Sequence, residues 1–371
     1  MLHLVGFVLS CGLLLFLAVK CGVSEKSILY CCLFIVILLT GLTLLVGIRR
    51  MPIVGLGNLP TFAAVTFVFA LKPPSSRSGL RFASILNLML GAAMVLRYQP
   101  VTSYFVDYYN NFYQDLLPTM LAMGKPVLTF ASHSIAGLFL YLFFWVNWRE
   151  FLAERKILYL CLALGHLGLC LALTSHASFA FALIGFSQVA WAAARSHPWK
   201  SAAVFGVIVL SITLFTPQEY KDVASDAAQS AQVFWFDRNN KTRSGFWGRY
   251  SDYGNMREAI VYVSEYPLSP IGLMGHPTMM LGDSGVLEDF VRGSALLVAV
   301  IYGGLWYFLR RSLDSRTALQ FFLCVLLIEV GYSVLVYPRT LCLLPLFVSW
   351  LKREDRDSFS VKTGQIGTET V

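Results

Sequence analysis

The sequence predicts an all-α, polytopic integral membrane protein with about 11–12 transmembrane helices and one large loop on the outer side. The chain of 371 residues is 57% hydrophobic and only 13% charged, whereas ordinary soluble domains are about 25% charged. Apolar runs of about 20 residues, the length that crosses a bilayer, recur along the whole chain. Basic residues concentrate in every second connection between these runs, as the positive-inside rule requires.

About eleven apolar segments are predicted as spans, and they form a single transmembrane domain. The first is predicted to be a retained helix, because it lacks a basic n-region and a small-residue cleavage site. The segment 53–71 is the weakest, since it holds Pro60 and two neighbouring glycines. If that segment is re-entrant, or a twelfth span exists, the N-terminus and the arginine pair at 49–50 return to the inner side. The predicted spans are 2–19, 27–48, 53–71, 80–97, 127–148, 157–174, 179–194, 201–216, 294–309, 317–336 and 340–351.

The orientation follows from the basic residues between the spans. Connections that carry lysine or arginine are predicted to lie inside, with a cytoplasmic C-terminus. They are 72–81, 149–156, 195–200, 310–316 and the tail at 352–353. The connections between them are then predicted to lie outside, and they are 98–126, 174–178, 217–292 and 337–340.

Both long outer loops have a pattern of their own. The loop 98–126 is rich in tyrosine and phenylalanine, which suits the membrane interface and equally suits stacking on sugar rings. In the loop 217–292, the stretch 246–265 has an amphipathic helical period. Pro267 and Pro270 end that helix, and a turn-rich segment follows at 272–285.

Arginines in an outer loop are not explained by membrane orientation and point to an anionic ligand. Arg243, Arg249 and Arg257 lie in the basic half of the loop, with Tyr253 between the last two. Arginine suits phosphate because its planar guanidinium makes bidentate, charge-assisted hydrogen bonds. Arg339 lies on another outer turn. The alternative is a set of solvated ion pairs and, for Arg339, a side chain that snorkels to the interface.

Other polar residues outside the spans could take part in the same site. Lys125 precedes the predicted span 127–148, whose first residues include His133, and together they would form an electropositive rim. His276 could accept or donate a proton near neutral pH, and Asp283 and Glu288 supply carboxylates near the end of the loop. Each histidine could equally be a hydrogen-bonded structural residue.

Several functional classes are excluded by missing motifs. The chain has no GxxxxGK[ST] or GxGxxG loop for a nucleotide, no HExxH or metal-ligand cluster, and no GxSxG elbow. The eight cysteines lack metal-site spacing and are predicted to be packing residues. The net charge of +8 reflects orientation, so no nucleic-acid partner is expected. Glu329, predicted near the middle of the span 317–336, is the clearest intramembrane carboxylate.

Five local patterns occur in a fixed order relative to the spans. They are a Lys-Pro run leading to Phe and His at 124–134, a Thr-Ser-rich turn at 173–178, Pro-Leu-Ser-Pro-Ile-Gly at 267–272, Gly-Asp-Ser-Gly at 282–285 followed by Arg-Gly at 292–293, and an Arg-x10-Gly spacing from 243 to 254. In these patterns the chain resembles the bacterial O-antigen polymerase (Wzy) family, and more distantly the O-antigen ligases, over about residues 53–350.

The resemblance implies a GT-C-like membrane enzyme of lipopolysaccharide biosynthesis in the bacterial inner membrane, with its active face in the periplasm. It would join oligosaccharide repeat units carried on undecaprenyl pyrophosphate, without nucleotide or metal, and would work with a chain-length regulator and a flippase. Pyrophosphate would be held by Arg243, Arg249, Arg257, Arg339 and Lys125. His276, Asp283 or Glu288 would act on the acceptor hydroxyl, and His133 and Tyr253 would have sugar-binding or structural roles. The alternatives are an O-antigen ligase, and a secondary transporter or flippase.

Overall fold

The structure is a computed structural model, and it describes part of the chain. The described residues are 68–72, 79–112, 121, 124–128, 130, 132–173, 175–196, 256–265, 284–335 and 338–352, with the single residues Phe16, Val19, Gly22, Lys26, Tyr30 and Gln229. All regular elements in these ranges are α-helices and none is a strand, so the all-α prediction is confirmed there. The helices are α1 (Leu80–Val95), α2 (Gln99–Phe112), α3 (His133–Glu154), α4 (Ile157–Ala172), α5 (His176–Ser196), α6 (Arg257–Glu265), α7 (Gly285–Ser312), α8 (Ser315–Glu329) and α9 (Pro338–Leu351).

Helix α3 forms the centre of the described bundle. It packs against α4, α5, α8 and α9, and every residue from Ile135 to Trp148 is buried. A helix that is apolar on all sides is expected to be surrounded by other helices. Its aromatic side chains interlock with those neighbours, as in the stacked rings of Tyr141 and Phe181 at 5.2 Å. The apolar core of the bundle is organised around this helix.

Only the described residues can be judged as membrane spans by length and composition. Among them, α3 is the one helix that is both long enough and apolar enough to cross a membrane. A second candidate arises if Leu80–Val95 and Gln99–Asn110, which meet at a bend of 92°, are taken as one broken span. The predicted spans 2–19, 27–48, 53–71 and 201–216 lie wholly or almost wholly outside the described residues.

One end of the bundle gathers the basic connections. Arg81 donates to the Tyr159 hydroxyl at 2.7 Å, and Lys156 pairs with Glu154 at 2.7 Å. The guanidinium of Arg149 donates to the Thr317 hydroxyl at 3.0 Å, which joins α3 to the start of α8. Arg311 donates to the backbone carbonyls of Phe69, in a helical segment, and of Leu71, which directly follows that segment. We call this the basic end.

The other end holds the start of α3, the start of α5 and the end of α8. The α3 helix begins at His133 and not at 127, because Ser132 caps it by accepting from the backbone N–H of Ser134 at 3.2 Å. Ser175 and Ser178 cap α5 reciprocally, each side chain accepting from the other's backbone N–H at 3.1 and 3.2 Å. The Thr-Ser-rich turn therefore has a local structural role as a capping box.

Helix α2, in the predicted outer loop 98–126, lies across this second end. Phe105 and Tyr109 are buried while Tyr104 and Asp107 are exposed, so the helix has one apolar and one polar side. The Tyr109 hydroxyl donates to the Leu128 carbonyl at 2.7 Å, which ties α2 to the turn before α3. The aromatic residues of this loop are thus divided between the core and the surface.

Candidate functional site: a buried carboxylate cluster

Glu329 lies at the C-terminal end of α8 and is 1% exposed. One carboxylate oxygen, Oε1, accepts from the backbone N–H groups of Val334 and Leu335 at 2.8 and 2.6 Å. The other, Oε2, accepts from the Tyr302 hydroxyl at 3.1 Å. The sequence placed Glu329 near the middle of a span, and this is corrected: the helix ends there, because the carboxylate bonds the turn that follows.

The start of α7 brings two further acids to the same place. Ser284 caps the helix, its hydroxyl accepting from the backbone N–H of Leu287 at 3.4 Å. Glu288 and Asp289 follow in the first turns and are 8% and 1% exposed. Glu288 acts electrostatically on Glu329, and Asp289 acts on the Tyr302 hydroxyl. We call Glu288, Asp289 and Glu329 the carboxylate cluster.

The carboxylate cluster lies far from the basic end. Thr317, which contacts Arg149, is at the start of α8, and Glu329 follows 12 residues later. Twelve residues of α-helix span about 18 Å. The bundle therefore separates basic connections at one end from buried carboxylates towards the other.

Lys125 and His133 lie near the second end, on the segment that leads into α3. Gly124 has φ +81°, and a Cβ there would come within 3.1 Å of the Met94 carbonyl, so the turn packs closely on the end of α1. Lys125 follows this turn and is half-buried. His133 is the first residue of α3 and is also half-buried.

Two of the arginines predicted to bind pyrophosphate lie in described helices. Arg257 is exposed and begins α6, which packs against α7. Arg339 is the second residue of α9 and lies four residues after Leu335, whose N–H bonds Glu329. Arg257 is therefore on a helix that contacts α7, which carries Glu288 and Asp289. Arg339 is on the helix that follows the turn bonded by Glu329.

Half of the predicted site is not described. Arg243, Arg249, Tyr253, His276 and Asp283 lie outside the described residues. Of the predicted helix 246–265, the described part is helical over Arg257–Glu265.

The chemistry of the carboxylate cluster is that of proton acceptance or cation attraction. Like charges held close together attract cations or share protons, and a carboxylate can accept a proton from a hydroxyl within hydrogen-bonding reach. Among the described residues, no group of three or more His, Cys, Asp and Glu side chains is arranged to hold a metal ion.

The sequence pointed to Glu288 as a site residue but not to Asp289 or Tyr302. It also did not indicate that Glu329 bonds the turn after α8. Asp289 could have been found from its position next to Glu288. Tyr302 lies in an apolar stretch, and nothing in the sequence indicates that its hydroxyl reaches a residue 27 positions away.

Comparison of the chain with models of protein families, with curated proteins and with solved structures finds no match.

Proposed function

We propose that this chain is a polytopic inner-membrane polymerase that joins oligosaccharide repeat units carried on undecaprenyl pyrophosphate at the periplasmic face. The observation that carries the proposal is the buried carboxylate cluster, which lies beside elements bearing Arg257 and Arg339 and towards the end opposite the basic connections. The sequence resemblance supplies the substrate class. Fixed cations and a nearby proton acceptor are what a glycosyl transfer from a pyrophosphate requires.

The membrane part of the proposal is supported by the outer surface of the helices. Large apolar side chains face outward on α1, α4, α5 and α8, among them Phe82, Ile157, Leu183 and Leu323, each about half exposed or more. Polar contacts lie inside instead, as where the buried Asn147 amide donates to the Ser84 hydroxyl at 2.9 Å. Exposed apolar surface on this scale marks contact with lipid or with a partner.

The proposed reaction takes its chemistry from the resemblance. A hydroxyl oxygen of the incoming repeat unit attacks the anomeric carbon of the growing chain. The bond from that carbon to the lipid pyrophosphate breaks, and the pyrophosphate leaves with the electron pair. Arg243, Arg249, Arg257, Arg339 and Lys125 are proposed to bind the leaving group. The hydroxyl proton passes to a base, for which His276, Asp283 and Glu288 are the candidates, and Glu288 is the one within the described cluster.

The proposal is tested with a strain that lacks this gene and is complemented with variants. Arg249→Ala and Arg257→Ala are expected to shorten the surface polysaccharide ladder on a gel. Hydrogen bonds to charged groups contribute about 1.5–3 kcal/mol, which is about 10–150-fold in rate. Arg316→Ala, an exposed arginine at the basic end, is the matched control and should leave the ladder unchanged. Long ladders that persist in both variants would show that these arginines are not part of the site.

The deletion strain also separates the alternatives. Single repeat units on the lipid A core indicate the loss of a polymerase, and the complete absence of attached antigen indicates the loss of a ligase. A transporter is favoured by one observation, the partly buried network in which the Tyr141 hydroxyl accepts from Gln188 and Gln320, each at 3.0 Å. Solute counterflow in proteoliposomes without glycosyl transfer would establish that function instead.

A further inference from the structure

Glu329 joins two parts of the chain that the proposed reaction needs to hold together. Through Oε1 it closes the turn between α8 and α9, and through Oε2 it bonds Tyr302 of α7. Both oxygens are occupied by protein donors, and the side chain is 1% exposed. A carboxylate in that position can fix backbone geometry but cannot itself touch a substrate.

Gly285, the first residue of α7, lies directly on this carboxylate. A Cβ at that position would overlap Glu329 Oε2 and would be 3.0 Å from the Ser333 Cα. No side chain fits in that space without displacing Glu329 or the turn after α8.

Two distant points of α7 meet the same carboxylate: its first residue, Gly285, and Tyr302 in its second half. Gly285 and Tyr302 are 17 residues apart, which is about 25 Å in a straight helix, yet both contact Glu329 Oε2. The axis of α7 therefore turns sharply between them. Glycine-serine pairs are common sites of helix kinks, and Gly293 and Ser294 lie between the two contacts.

We infer that Glu329 is a positioning residue, whose carboxylate holds the turn leading to Arg339 against the start of α7, which carries Glu288. Resting on the proposed function, this inference assigns Glu329 the task of fixing the distance between a pyrophosphate-binding arginine and the candidate base. It does not assign Glu329 a proton-carrying role. Glycine is required at position 285 for the same reason, because a side chain there would displace Glu329 or the turn after α8.

The first test compares two glycines of α7 in an assay of chain extension by purified protein. The substrate is the lipid-pyrophosphate-linked repeat unit isolated from the deletion strain. Gly285→Ala is expected to lower kcat at least tenfold with little change in KM, because a displacement of about 1 Å can cost about 100-fold. Gly303→Ala is the control, since a Cβ there meets nothing within 4 Å. Equal kcat in the two variants would overturn the inference.

The second test separates positioning from proton transfer. Glu329→Gln keeps an oxygen to accept from Val334 and Leu335 and an amide beside the Tyr302 hydroxyl, so its kcat should stay within about threefold of the wild type. Glu329→Ala should lose at least tenfold. A Gln variant as inactive as the Ala variant would show that the charge or the proton matters, against the inference.

A third variant, Tyr302→Phe, tests the inference if the first two variants do not fold. If melting in detergent shows that Glu329→Ala and Gly285→Ala do not fold, Tyr302→Phe removes one hydroxyl, which donates to Glu329 and also interacts with Asp289, and is expected to lower kcat several-fold. A wild-type kcat in that variant would overturn the inference.

If wild-type protein extends chains, Arg249→Ala does not, and the Glu329 variants are unaffected, only the positioning role fails. If wild-type protein extends no chains, the proposed function fails and the positioning role with it.

Discussion

Gly137 lies where the central helix α3 comes within backbone contact of α5. A Cβ at Gly137 would be 2.8 Å from the Ser178 Cβ and 3.0 Å from its Cα. Because the obstacle includes backbone, a rotamer change cannot relieve it. Gly137→Ala is expected to destabilise the protein by about 1–3 kcal/mol, the usual cost of overpacking, measured as a lower melting temperature in detergent.

Gly168 provides the matched control for that substitution. It lies within α4, and a Cβ there meets nothing within 4 Å. Alanine is a better helix former than glycine by about 1 kcal/mol, so Gly168→Ala should melt at or above the wild-type temperature. If Gly137→Ala behaves in the same way, the close packing of α3 on α5 is wrong.

At the scale of single residues, the sequence predicted chemical types better than positions. The acidic residues at the end of the long loop were recognisable, and Glu288 does lie in the carboxylate cluster. The position of Glu329 was not recognisable, because apolar residues continue past it and the hydropathy pattern does not show where the helix ends. That end depends on a carboxylate bonding the N–H groups of Val334 and Leu335, which only the folded turn supplies.

Among the elements, α8 shows how a sequence signal sets a helix boundary. Asp314 caps it, with the backbone N–H of Thr317 donating to Oδ2 at 3.0 Å. Partial burial alone would raise the pKa of Asp314, but the Thr317 backbone N–H and hydroxyl together with the charge of Arg149 hold the pKa below its ordinary value. Asp314→Ala should destabilise the protein by about 0.5–2 kcal/mol, as for other N-caps, measured by thermal melting at neutral pH.

The same cap predicts a dependence on pH. Because the pKa of Asp314 is lower in the folded protein, its charge stabilises the fold above the unfolded pKa of about 3.9. That contribution is lost as the pH falls through the folded pKa. Asn also caps helices but carries no charge. The melting temperatures of wild type and Asp314→Asn should therefore differ at pH 7 and converge below about pH 4, and a constant difference would contradict the role of the charge.

Helix α2 marks the limit of prediction at the scale of elements. Its buried residues Thr102, Phe105 and Tyr109 have helical spacing, which the sequence contains and which periodicity alone could have revealed. The aromatic composition of the loop, by contrast, predicts only the membrane interface or stacking on sugar rings. The bend of 92° between α1 and α2 occurs at Arg97, whose φ is +52°, and the turn at Gly124 packs against this corner. Pro100, in the first turn of α2, is a local signal that a new helix starts there, whereas the angle between the helices has no such signal.

At the scale of the whole molecule, three of the connections that the charge pattern predicts to lie inside have contacts at one end of the described bundle. Residues of the predicted inner connections 72–81, 149–156 and 310–316 meet their neighbours at the basic end, through Arg81, Arg149 and Arg311. Charge patterning indicates such a grouping because lysine and arginine are selected by side of the membrane. The helix pairs that build each end have no comparable signal, since they depend on side-chain packing between distant segments.

The apolar outer surface leads to a test of membrane embedding. Gly168 is exposed on α4, and a cysteine there would have open space around it. Lys156, just before α4, is exposed at the basic end. In a variant with the eight native cysteines replaced by serine, Gly168→Cys and Lys156→Cys are compared by labelling with a charged maleimide in inside-out membrane vesicles. If α4 lies in lipid, Lys156→Cys is labelled at once and Gly168→Cys only after denaturation, because a charged reagent does not enter the hydrocarbon core. Equal labelling of both in intact vesicles would place this face of α4 in water and remove the membrane-spanning part of the proposal.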